Sequence, residues 1–167
     1  MKPLLPPLAC AVVVAGLLYG VLCAAERRLP ESEDPWLDAW MAEGMKAEFQ
    51  SISSEPAKHL PNGDVREVFQ DPKLAGTVLR SYLVQNAAVH VVQLPGAAAA
   101  PAFPQGRTLD FRLKPQGKPI HLCRSGRLLL LVSNQGKWMP FMDSLKTPKR
   151  EVEQIFDVFE ETAKRHP

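Results

Sequence analysis

The stretch that most narrows the possible folds is 128–132, LLLLV, just after Ser125-Gly126. Successive side chains of a strand point to opposite faces, so an unbroken apolar run needs cover on both sides. It therefore predicts a central strand between two layers. The segment before it, 118–124 (KPIHLCR), pairs with it as a hairpin, with a glycine at the turn to take a positive φ.

Upstream, 89–94 (VHVVQL) is β-branched and apolar on both faces. The segment 108–114 (TLDFRLK) alternates, with Leu109, Phe111 and Leu113 facing in and Asp110 and Arg112 facing out. Between these strands, 95–105 (PGAAAAPAFPQ) reads as a surface loop, because alanines framed by prolines make too short a run for a stable helix. Asn62-Gly63 marks a turn.

Helices are expected at three places. Asp34-Pro35 is a cap followed by proline at the first helical position, and Leu37, Trp40, Met41, Met45, Phe49 and Ile52 recur at helical spacing, with Gly44 weakening the middle. Asp71-Pro72 repeats the signature. Leu74, Ala75, Val78, Leu79, Tyr82 and Leu83 then give a second stripe ending near Asn86, although 77–85 also reads as a strand. Thr147-Pro148 opens the last helix, whose stripe is Val152, Ile155, Phe156, Phe159 and Ala163. The expected fold class is α+β: an antiparallel β-meander of about four strands packed with three amphipathic helices, since consecutive strands usually neighbour one another.

An export segment precedes this domain. The run at 8–25 (LACAVVVAGLLYGVLCAA) is uncharged and, at about 18 residues, spans roughly 27 Å as a helix, close to a bilayer's hydrocarbon thickness. Cys23 and Ala25 place small residues three and one before Glu26, as a signal peptidase requires, so 1–25 reads as a cleaved signal peptide. The run's length and the following Arg27 and Arg28 suit a retained membrane anchor instead. A lipoprotein reading of Cys23 is weakened by Leu22 before it. Residues 26–33 form a linker and 34–167 a single α+β domain, placed in a secreted or periplasmic compartment or tethered to a membrane through 8–25.

Of three cysteines, Cys10 and Cys23 lie in the apolar run, so a cleaved product keeps Cys123 alone and has no internal disulfide. With 20 Lys+Arg against 18 Asp+Glu, the net charge of +2 is far from the basic excess that binds nucleic acid.

Chemical motifs are sparse. The chain carries no phosphate-binding glycine loop, dinucleotide fingerprint, nucleophile elbow or HExxH. His121 and Cys123 are two apart on a strand and share a face, so imidazole and thiol could jointly hold Zn or Cu, or the imidazole could activate the thiol. Two ligands are too few for a structural zinc site, and His59, His90 and His166 have no motif spacing to complete one. Metal-ligating and cofactor-binding residues are therefore not assigned. His90, on a β-branched strand, reads as a core histidine. Lys114, Lys118, Arg124 and Arg127 around the hairpin make a charged strand rim or a modest anion patch. The connector 136–145 (GKWMPFMDSL) offers a candidate interaction surface in Trp138, Met139, Phe141 and Met142, or a satellite core if these side chains tuck under the sheet. The hairpin and the capped last helix are loosely similar to C-terminal parts of extracytoplasmic regulatory ectodomains such as membrane anti-sigma factors. These features point to an exported, non-enzymatic domain that binds a protein or small ligand. The alternatives are a membrane-anchored accessory subunit and a thiol or metal protein centred on His121 and Cys123.

Overall fold

The computed structural model describes residues 34–60, 62–134 and 148–167. The chain divides into Met1–Glu33 and Asp34–Pro167, and the described residues all belong to the second unit. The apolar run at 8–25, the linker at 26–33 and the connector with Trp138, Met139, Phe141 and Met142 lie outside the described residues. Among the described residues, no helix is long and apolar enough to cross a membrane.

In chain order the elements are α1 (Pro35–Ala42), β1 (Ala47–Ser53), α2 (Pro56–His59), α3 (Gly63–Val68), a 3-10 turn (Pro72–Leu74), β2 (Val78–Val84), β3 (Ala87–Gln93), β4 (Gly106–Phe111), β5 (Ile120–Ser125), β6 (Leu128–Asn134) and α4 (Lys149–Arg165). The class is α+β. The strands form one sheet in the order β1-β2-β3-β6-β5-β4, antiparallel at every junction.

The run at 128–132 lies where its composition requires. β6 pairs with β3 on one side and β5 on the other. Leu128, Leu130 and Val132 enter a core shared with Trp36 and Trp40 of α1 and with Val152, Ile155, Phe156 and Phe159 of α4. Leu129 and Leu131 enter a second core on the opposite face, with Val65 of α3, Leu74 of the 3-10 turn and Phe103 of the 94–105 connection. The hairpin turn between β5 and β6 has Gly126 (φ +60°) and Arg127 as its central residues, because Ser125 already pairs with Leu128.

Several expectations are corrected. The helix expected from Asp34 to Ile52 stops at Ala42, and its second half is strand β1. Gly44 (φ +74°) ends it: the Gly44 N–H donates to the Met41 carbonyl and the Met45 N–H to that of Trp40, both at 3.0 Å, the paired bonds of a Schellman cap. Phe49 and Ile52 are consequently exposed on an edge strand rather than buried on a helix. The helix expected after Asp71-Pro72 is a single 3-10 turn, and the alternative strand reading prevails as β2. Asn62 is the N-cap of α3, its side-chain oxygen accepting from Asp64 and Val65, rather than part of a free turn.

The sheet has six strands rather than about four, and it is not a simple meander. β3 lies beside β6, while β4 forms the far edge. The 94–105 connection carries the chain there, burying Leu94, Ala100 and Phe103 in the second core. In β4 the expected alternation breaks at Asp110 (φ +54°), where one extra residue interrupts the register between Thr108 and Phe111. Leu109 therefore packs on the α1/α4 core while Phe111 and Leu113 pack on the other, where period two would put all three together.

Candidate ligand cleft

The site begins with the cap of α1. The Asp34 carboxylate accepts hydrogen bonds from the Trp36 and Leu37 N–H groups at 3.1 and 3.2 Å, holding the first turn. The same carboxylate accepts the Tyr82 hydroxyl at 2.8 Å, fastening α1 across β2. Burial, with the Asp34 charge beside it, drives the Tyr82 phenol well above its usual range, so it stays a donor. Arg80 reaches the same group at 3.4 Å, the longest of these contacts.

β2 and β3 are in register such that Arg80 lies opposite Val91 and Val78 opposite Gln93. Arg80 and Gln93 are therefore diagonal neighbours on the face that carries α1 and α4. The first turn of α1 and the end of α4 border an open cleft of about 330 Å³ over this end of the sheet. Val78, Val91 and Leu128 supply apolar lining, Pro35 and Trp36 stand on one side, and His166 and Pro167 on the other. Trp36 is braced from behind by Phe159, the rings stacked at 5.3 Å. Among the described residues the Gln93 amide has no hydrogen-bond partner, and Arg80 reaches Asp34 and the Tyr82 hydroxyl, leaving part of its fork of N–H donors unused. Sequence reading missed Arg80 and Gln93. A cation between Val78 and Tyr82 at period two was the available signal, and the helical reading of 71–86 concealed it.

His121 and Cys123 do share one face of β5, as their spacing implies, but each has a different partner. The backbone N–H of Asp110 donates to His121 Nδ1 at 3.1 Å, leaving the ring proton on Nε2. Burial lowers the pKa of this imidazole, opposed by the nearby Asp110 carboxylate. Cys123 Sγ donates to Glu160 Oε1 at 3.3 Å, and burial, with that carboxylate, pushes the thiol up to about 12. Arg107 grips Glu160 at 2.8 and 2.9 Å and Asp157 at 2.7 Å, holding the Glu160 carboxyl below its usual range. This group ties β4 to α4 and keeps the thiol protonated, which is the opposite of what thiolate chemistry needs. Among the described residues, no group of three or more His, Cys, Asp or Glu side chains could hold a metal ion. His59 lies in α2 and His166 beside the cleft, apart from both.

Three of the four basic residues around the hairpin are engaged within the fold. Arg124 is buried and donates to the carbonyls of Ala97, Ala99, Ala100, Phe103 and Gly126 at 2.6–3.2 Å. Lys114 pairs with Glu67 and Asp64 of α3. Arg127 donates to the Pro167 carbonyl at 2.8 Å. His90 is buried, its Nδ1 3.0 Å from Ser81 Oγ, while among the described residues His90 Nε2 and the neighbouring Ser133 Oγ are buried without partners.

The fold and the cleft define a class, a three-layer α+β domain built on a six-stranded antiparallel sheet with an open polar-rimmed cleft at one end. In comparisons with known proteins the chain matches no family model, no curated protein and no solved structure.

Proposed function

We propose that the chain is an exported, non-enzymatic domain that acts by binding, and that a small ligand occupies the cleft between α1, α4 and the end of the sheet. The observation that carries this reading is a guanidinium and an amide with spare hydrogen-bonding capacity, placed side by side over an apolar floor. Pockets that recognise small molecules combine those features: apolar walls for affinity and a few polar groups for orientation. The export part rests on the apolar run at 8–25, acting as a cleaved signal peptide or a retained tether.

A fragment library screened against the full chain by NMR tests the binding. Fragments should move the resonances of Trp36, Val78 and Leu128, and Gln93→Trp, which fills the cleft from a solvent-exposed position, should abolish those shifts while leaving the melting temperature unchanged. A library that leaves the cleft untouched, or turnover of a substrate lost on mutating a residue elsewhere, removes the reading. Cell fractionation with N-terminal sequencing tests the export. Glu26 as the first residue of exported protein, or intact chain in the membrane fraction, is expected; intact chain freely soluble inside the cell contradicts it.

A further inference from the structure

Building on the cleft reading just given, we infer that the ligand is a small organic monocarboxylate with an apolar body, its carboxylate received by Arg80 and Gln93. A guanidinium offers five N–H donors in a planar fork that matches a carboxylate. Arg80 spends part of that capacity on Asp34, at 3.4 Å, and on the Tyr82 hydroxyl. Its partner Asp34 is meanwhile engaged by shorter bonds from Tyr82 at 2.8 and 3.0 Å and from the α1 backbone at 3.1 and 3.2 Å. Asp34 thus fixes Arg80 in place without consuming its fork. The Gln93 amide, diagonal to Arg80 on the next strand, adds a neutral donor for a second carboxylate oxygen.

The surrounding charges select among anions. Asp34 lies against Arg80, and α4 ends beside the cleft at His166, where the carbonyls of the last turn carry partial negative charge. Asp34 already offsets the charge of Arg80 and the end of α4 adds partial negative charge, so a dianionic phosphate ester is disfavoured more strongly than a singly charged acid that binds through hydrogen bonds and its apolar body. Beyond the polar pair, Val78, Val91, Leu128 and the edge of Trp36 offer apolar contact. At about 330 Å³ the space lies near the small end of ligand pockets, which suits a short alkyl or single-ring acid.

The test uses benzoate, hexanoate and octanoate, each beside its primary amide, titrated into the full chain by NMR and calorimetry. Each acid should shift the Trp36 indole and Gln93 amide resonances and bind at least about tenfold more tightly than its amide, the usual margin for a charge-assisted pair. Arg80→Met should reduce the acids to the level of the amides, and Arg80→Lys should fall between. If Arg80→Met does not fold, the comparison of acid with amide in the unaltered protein still decides. Amides that bind at the same resonances as tightly as acids overturn the carboxylate assignment but leave the cleft standing as a binding site. Inorganic phosphate binding there more tightly than the acids also overturns it. If neither acids nor amides perturb the cleft, the carboxylate assignment falls, and the fragment library separately decides the broader binding reading.

Discussion

Arg124 was one of several basic residues near a turn when read in the sequence, yet folding buries it and satisfies it entirely with backbone carbonyls. It substitutes for secondary structure, since four of those oxygens belong to the connection at 94–105, which has no ladder of its own to occupy them. Arg124→Met should therefore cost roughly 3–5 kcal/mol, because several carbonyls lose their donor together, and Arg124→Lys should recover only part, lacking the fork. Urea unfolding of both variants measures this; a loss below about 1 kcal/mol would contradict the role. His90 makes a different prediction. Burial holds its imidazole down to about 4, against the ordinary 6.5. The folded pKa is the lower one, so the unfolded chain takes up the proton first as pH falls. The stability contributed by neutral His90 is complete above about pH 6.5 and is lost progressively toward pH 4, on the order of 3 kcal/mol in all. Unfolding free energy followed across that window should fall less steeply in His90→Leu than in the unaltered protein. Parallel curves would refute the assignment.

The short elements owe their limits to particular residues. Gly44→Ala forces a side chain into a left-handed conformation at the end of α1, and the expected cost is about 1 kcal/mol, readable from the denaturation midpoint. The sequence carried a signal for that stop, a glycine followed by a residue able to contact the last helical turn, but the helical spacing of 45–52 led the reading through it; Met45 packs on the core that holds Trp40. The face switch at Asp110 was not legible. A bulge costs one residue of register and leaves no compositional mark, so TLDFRLK looks like uninterrupted alternation. β6 carries a prediction of its own. Leu130→Ala and Leu131→Ala act on opposite cores, and each should lose about 2–5 kcal/mol, since both side chains are at most 3% exposed. Near-neutrality of either would mean that one layer contributes no packing.

Across the whole molecule, stability is expected to grade outward from the β3–β6 pair. Those strands are buried between two cores and flanked by β2 and β5, whereas among the described residues β1 and β4 each pair with one neighbour, through an interrupted register. Native-state hydrogen exchange should show β3 and β6 amides opening only with global unfolding, while β1 and β4 amides exchange through smaller openings. Uniform protection from edge to edge would argue against two independent faces joined at a central seam. The cleft belongs to this level too, because it exists only where the start of α1 and the end of α4 approach the same corner of the sheet.

Local chemistry was sufficient for the elements whose signals are local: the doubly covered strand at 128–132, its hairpin with β5, and the amphipathic stripe of α4. Each is specified by the periodicity of its own side chains and by turn residues within the segment. The apolar residues at 45–52 and 74–83 suit either a helix or a half-covered strand, and pairing with distant strands settled them as β1 and β2. The seam between β3 and β6, the route of 94–105 to the far edge, and the meeting of Arg80 with Gln93 likewise depend on contacts between residues remote in the chain. A sequence records which side chains prefer burial, but the choice among partners belongs to the free energy of the assembled core, where backbone pairing and packing are decided together.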